Sequence, residues 1–294
     1  MKLSFERAKV GRTGREVGRL GISTSYGVPT AAVERAFEQG VNYLYWGSMR
    51  TKPFAQALRN LAGRRDHMVL LIQSYSRMAA LVGRSLERAL RVIGYDHTDL
   101  LLLGMWQKPV PPRILDAARE AQRRGLVRHL AVSTHKRTLV PEIARGSDYD
   151  VVHFRYNAAH TGAERDIFPE LPSGDRPGLV AFTATSWGQL TRSARGLSNW
   201  REWFAGGIPK GERTPTAADC YRFVLAQPDV DVCLTGPSTA QHVDEALEAL
   251  RRGPMTGEEL EWMRRVGRAV YGKLGGGRAW SEAVAFDVGR AGVI

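Results

Sequence analysis

The segment VVHFRYNAAHTGAERD brings two imidazoles, a guanidinium and an amide into one short stretch: His153, Arg155, Asn157 and His160. Imidazole changes charge near neutral pH, so His153 and the upstream His135 are candidates for acid–base work. Strand alternation puts Arg155 on the same side as His153. Arg155 either holds an anionic substrate or sits in a structural salt bridge, the salt bridge being the simpler reading. Asn157 and His160 either line a site or cap and turn the chain. A second stretch, VNYLYWGSMR, presents the phenol of Tyr45, then a Gly-Ser turn and the lone cation Arg50. A fixed cation beside a developing oxyanion stabilises a transition state. An unperturbed tyrosine, with a pKa of about 10, is a weak acid at neutral pH. Trp106 is either an aromatic wall over a pocket or packed beneath a neighbouring loop.

Other chemistries lack their spacing. The seven histidines are scattered without H-x-x-x-H or a His/Asp cluster, so no metal site is expected. There is no Walker loop and no G-x-S-x-G elbow, and KLGGGR lies in the C-terminal tail without strand–turn–helix context. Cys220 and Cys233 form neither a disulfide framework nor a C-x-x-C pair. The formal net charge is +12. Its arginines are spread over almost every expected helix, usually near Glu or Asp, so the charge reads as a solvated surface and no nucleic-acid partner is expected. The excess favours an anionic small-molecule partner, such as a phosphorylated cofactor. No apolar run approaches the roughly 18 residues of a membrane span, and the charged start MKLSFERAKVG has no apolar signal core. The expectation is a cytoplasmic protein with no membrane partner.

Eight apolar runs alternate with amphipathic segments and must position these groups. The expected strands cover 20–24, 41–46, 67–74, 98–104, 127–133, 150–156, 178–184 and 230–236. Continuous Val- and Leu-rich runs suit parallel strands buried on both faces. Helical patterns separate most of them. Gly40 stands where a helix C-terminus wants glycine, and Pro111 and Pro112 suit a first helical turn. The segment 257–272 reads as an extra helix. Eight β/α repeats in one uninterrupted composition predict a single (β/α)8 TIM barrel over 1–294. SFERAKVGRTGREVG forms an N-terminal hairpin capping its bottom. The stretch 186–215 is a long Gly-, Arg- and Trp-rich loop at the active face. The tail 273–294 carries no readable pattern.

Several pieces occur in order at suitable spacing: VGRTGREVGRLGIST, EQGVNYLYW, SLERALRVIGYDHTDLLLL, RRGLVRHLAVS, VVHFRYN and LTGPSTAQHVDEALEAL. Together they resemble the aldo-keto reductase superfamily over residues 8–272. The resemblance implies a (β/α)8 barrel that binds NADP(H) at the strands' C-terminal face and transfers hydride to a small carbonyl compound. The family protonates the carbonyl oxygen with a tyrosine tuned by a lysine–aspartate pair, with a histidine orienting the substrate. At those positions this sequence has Tyr45 for the aspartate, Arg50 for the tyrosine (or Ser48 or Met49 in a shortened loop), Gln73 for the lysine and Gly104 for the histidine. Aspartate and lysine are replaced together, which avoids a stranded buried charge, and Tyr45 and Gln73 can hydrogen-bond across the same gap.

By the same resemblance, Ser133, Thr134 and His153 stand where the family clamps the nicotinamide amide, and Phe182 where it stacks an aromatic ring. Gly236, Ser238 and the helix N-terminus near Thr239 suit a phosphate, and Glu245 matches a family residue. The basic residue often found near that turn is missing, with His242 close by. The leading expectation is an aldo-keto reductase-like oxidoreductase with a non-standard catalytic set. Tyr45 is its proton donor or hydrogen-bond anchor, Gln73 positions it, Arg50 neutralises charge and His153 adds a polar contact. Two alternatives stand beside it. One is a pseudoenzyme that binds a nucleotide or small molecule through Phe182, Ser133 and the Gly236–Ser238 turn. The other is a cofactor-free isomerase or lyase using Tyr45 with His135 or His153. The sequence specifies neither oligomeric state nor NADP over NAD.

Overall fold

The computed structural model describes residues 5–47, 51–192, 208–209 and 211–273. Arg50, most of the 186–215 loop and the tail beyond 273 lie outside the described residues. Ten strands are formed in chain order: β1 (Ala8–Lys9), β2 (Glu16–Val17), β3 (Leu20–Ser23), β4 (Tyr43–Trp46), β5 (Val69–Ser74), β6 (Thr98–Leu103), β7 (Val127–Thr134), β8 (Val151–Arg155), β9 (Gly178–Phe182) and β10 (Val232–Thr235). β3 to β10 close into a parallel barrel in sequence order, β10 pairing back onto β3. Each apolar run of the sequence became one barrel strand. β4 begins at Tyr43 rather than Val41 because Asn42 is taken up at the barrel floor. Its side chain accepts the Gly18 N–H at 2.9 Å and donates to the Glu16 and His67 carbonyls.

The helices are α1 (Thr30–Glu38), α2 (Lys52–Asn60), α3 (Ala79–Ile93), α4 (Pro112–Arg123), α5 (Leu139–Arg145), α6 (Ala163–Asp166), α7 (Ala217–Leu225), α8 (Ala240–Arg252) and α9 (Gly257–Lys273). Gly40 follows α1 at φ +92°, and Pro112 occupies the first position of α4. The sequence pattern missed α5 and α6. α5 carries Pro141 in its first turn, where a missing N–H costs little, and α6 is only four residues long.

Two apolar layers result. Between strands and helices runs a large core that includes Leu44, Leu70, Leu101, Val152 and Leu179. Inside the barrel is a smaller one, built from Tyr43, Val69, Leu71, Leu100, Ala131, Val151, Val180 and Val232. The antiparallel β1–β2 hairpin plugs the floor with Val10 and Val17, both fully buried. Its seat requires glycine on both sides. A Cβ on Gly11 would fall 1.9 Å from the Gly178 nitrogen, and one on Gly178 would fall 2.4 Å from Val10. The interior is therefore closed below by the hairpin.

Candidate functional site at the barrel mouth

Parallel barrel strands all end at one rim, so their last inward side chains share one space. β4 brings Tyr43 and Tyr45 there, β5 brings Gln73, β7 brings Ser133, β8 brings His153 and Arg155, and β9 brings Phe182. Register sets their heights: Ser133 lies opposite His153, and Arg155 opposite Phe182.

Tyr45 is 8% exposed, and its O–H donates to Gln73 Oε1. It also shares a hydrogen bond with Tyr75. Burial above all, then the neighbouring phenols Tyr75 and Tyr43, raises the Tyr45 pKa well above its ordinary value. Accepting at Oε1 leaves the other end of the Gln73 amide, Nε2, buried without a partner. Gly104 has no room for a side chain, since a Cβ there would lie 2.6 Å from two ring carbons of Tyr75 and 3.2 Å from Gln73 Nε2. The Tyr75 ring thus fills the space a side chain at 104 would need, while remaining partly open to solvent.

Across the interior, Tyr43 Oη on β4 and His153 Nε2 on β8 share a hydrogen bond of 2.8 Å. The His153 ring sits 6.0 Å from that of Tyr43 and 6.1 Å from that of Tyr45, linking the two walls. Burial pushes the His153 imidazole down to about 3 and the Tyr43 phenol well up, so both stay neutral at physiological pH.

The remaining expected residues fall out as follows. Ser133 Oγ accepts the Met105 N–H at 2.8 Å, which leaves the hydroxyl proton to donate. Thr134, one residue on, alternates to the other face, and its hydroxyl accepts the Lys136 N–H. Phe182 is half-buried, with the edge of His135 5.3 Å from its ring centre. At the β10–α8 turn, Thr239 caps α8 and Ser238 Oγ lies 3.1 Å from His242 Nδ1. The ring of Tyr26 packs on Gly236, where a Cβ would be 2.5 Å from it. Glu245 lies further along α8 and accepts from Gln241.

Three readings of the polar segment are now decided. Trp106 packs beneath Arg77, whose guanidinium stacks 3.9 Å from the indole ring and donates to the Gly104 and Met105 carbonyls. Asn157 turns the chain: its Oδ1 accepts the Ala159 and His160 N–H groups, and its Nδ2 donates to the Thr183 carbonyl. The salt bridge expected for Arg155 is not made with any described residue, while nearby Arg137 is paired with Asp166. Backbone strain gathers at the same rim: Met105 and Thr183, just past β6 and β9, hold φ of +55° and +59° without being glycine.

Tyr43 and Tyr75 are site residues that sequence reasoning missed. Alternation carried the signal, since Tyr43 shares a face with Tyr45, and Tyr75 continues the face of Leu71 and Gln73. Among the described residues no cluster of three His, Cys, Asp or Glu side chains is placed to hold a metal ion.

The sequence model of the aldo/keto reductase family matches residues 29–202, more than half of the chain. The chain belongs to the aldo/keto reductase family. The structure is similar to that of aldo-keto reductase AKR11C1 from Bacillus halodurans in its holo form, with a TM-score of 0.69 and 20% identity over 90% of this chain and 98% of that one. For the apo form the TM-score is 0.66 at 19% identity over the same shares. At such identity the likeness shows the shared barrel. Aldo/keto reductases generally use NAD(P)H, and the family supports an oxidoreductase-like function.

Proposed function

We propose that this protein is an NAD(P)H-dependent oxidoreductase that reduces a small carbonyl compound through a non-standard site. One observation carries the reading: Tyr45 fixes the Gln73 amide by its Oε1 and leaves Nε2 as a buried donor with no partner. A donor held in a dry wall is suited to an oxygen on which negative charge develops. The family's tuned acid has no counterpart among the described residues of this wall. Tyr45 has its proton engaged by Gln73 and its pKa raised, so it serves as an anchor for the amide and not as the acid.

The residues at the mouth fit a nicotinamide nucleotide by their hydrogen-bond inventory. Phe182 offers a ring face, and Ser133 retains a hydroxyl proton for an amide oxygen. Neutral His153 is a second polar contact. Ser238 and the N-terminus of α8 offer N–H groups and the positive end of a helix dipole to a phosphate. When bound, the nucleotide supplies a hydride. The protein's own part is to hold the carbonyl oxygen at Gln73 Nε2, with Tyr75 as the wall that a substrate displaces. The proton that completes the alcohol is taken up by the carbonyl oxygen from solvent at the open side of the mouth, where Tyr75 is exposed.

Steady-state kinetics with NADPH and a panel of activated aldehydes and quinones test this. Gln73→Leu is expected to lower kcat/KM by about 100-fold or more, the usual cost of one oxyanion donor. Tyr45→Phe is expected to lower it by less than about 10-fold, since the phenol only orients the amide. The opposite ranking, with Tyr45→Phe the more damaging, would make Tyr45 the proton donor.

A further inference from the structure

Arg155 is the feature of the mouth that the reaction above does not use. It ends β8 on the inward face, above His153 and beside Phe182. It is half-buried, yet it makes no hydrogen bond or ion pair with any described residue. Nearby Arg137 behaves otherwise, holding Asp166 at 2.7 Å. A guanidinium partly removed from water without a partner is unfavourable unless something else supplies one.

Two imidazoles stand near it with nitrogen atoms to spare. His135 follows β7, packs edge-on to Phe182, and has a buried Nδ1 with no partner. His160 is 8% exposed; its Nδ1 lies 3.2 Å from Asn157 Oδ1, while its Nε2 is buried and unpartnered. Burial and the nearby Arg155 push both imidazoles down to about 4. Arg137 acts on His160 in the same direction, and no carboxylate acts on Arg155, His135 or His160. The cluster is a positive, partly dry corner beside the phenol of Tyr271, whose ring centre lies 5.6 Å from that of His160, and the described residues bring no carboxylate to it.

We propose that Arg155, with His135 and His160, is the subsite for a carboxylate on the substrate, so that the carbonyl compound reduced here is an oxo acid. The assignment to the substrate rests on the reductase reading; the anion subsite itself does not. The planar fork of arginine matches a carboxylate with two parallel hydrogen bonds. Position separates this anion from the cofactor's phosphates. The expected phosphate turn follows β10, two strands away around the barrel, whereas Arg155 pairs with Phe182, where a nicotinamide ring would stack. An anion bound at Arg155 therefore lies beside the hydride-carrying ring, as the carboxylate of a short oxo acid must.

Calorimetric titration of the full chain tests the proposal. The probes are glyoxylate, pyruvate, 4-oxobutanoate and 2-oxoglutarate, each without cofactor, and separately inorganic phosphate and NADPH. At least one oxo acid is expected to bind the wild type more tightly than phosphate. Its affinity is expected to fall about 10-fold or more in Arg155→Met and to recover in part in Arg155→Lys, with NADPH affinity unchanged in both. Thermal melts of both variants confirm folding, and the lysine variant preserves the test if the methionine variant unfolds. Failure of every oxo acid to bind, or binding indifferent to Arg155, overturns the subsite. Loss of NADPH or phosphate affinity in place of oxo-acid affinity reassigns the anion to the nucleotide and overturns the carboxylate. Arg155-dependent oxo-acid binding by a protein that does not bind NADPH upholds the subsite and removes the reductase reading.

Discussion

Tyr43 and His153 meet inside the barrel as a neutral pair, and that neutrality has a measurable consequence. The imidazole of an unfolded chain takes up a proton near pH 6.5, whereas buried His153 does so only at about 3. Between those values the unfolded state binds more protons, so stability is lost as pH falls through that window. One such imidazole contributes a slope of up to about 1.4 kcal/mol per pH unit. His135 and His160, both held at about 4, act in the same direction. In urea unfolding at about pH 7 and about pH 4.5, His153→Gln is expected to lose less stability between the two than the wild type does. An equal loss would mean that His153 is protonated in the folded protein. The sequence identified His153 as inward-facing by alternation. Its pairing with Tyr43 was not legible, because the two are 110 residues apart in the chain and meet only when the barrel closes.

At the scale of elements, the ends of β5 and β6 form one unit. Gly104 leaves the space that Tyr75 occupies, and Arg77 clamps the backbone just beyond through the Gly104 and Met105 carbonyls. Gly104→Ala is expected to destabilise the protein by about 1–3 kcal/mol through overpacking against the Tyr75 ring. Tyr75→Ala in the same chain is expected to cancel most of that cost, a coupling read from a double-mutant cycle of thermal or urea unfolding. Additive effects would show that Tyr75 does not rest on Gly104. The strands themselves were readable, since unbroken Val and Leu runs have no other stable home than a doubly covered parallel sheet. α5 was not, because Pro141 interrupts its pattern and only tertiary packing shows that a first-turn proline is tolerated. Gly104 was visible as a glycine at the end of an expected strand. What fills the space beside it, an aromatic ring arriving from the neighbouring strand, required the register of β5 against β6.

At the scale of the molecule, the barrel, its floor hairpin and the extra helix α9 follow from the alternation of apolar runs and amphipathic segments along the chain. The net charge of +12 is an excess that pairing cannot remove, but individual ion pairs tie elements together. Arg252 meets fully buried Asp219 at 2.9 Å and Arg222 grips Glu259 at 2.7 Å, tying α7, α8 and α9 together. Against that background a half-buried Arg155 without a described partner stands out, and a count of charges along the sequence gives no sign of it. Tyr45, Gln73, Gly104 and Tyr75 come together on one side of the mouth. The central claim is the proposal that this mouth holds a nicotinamide nucleotide. Its most direct test is a fluorescence titration of the pure protein with NADPH, run beside Phe182→Ala. Saturable binding that weakens by about 10-fold or more when the stacking ring is removed is the predicted result; no saturation at millimolar NADPH would contradict it.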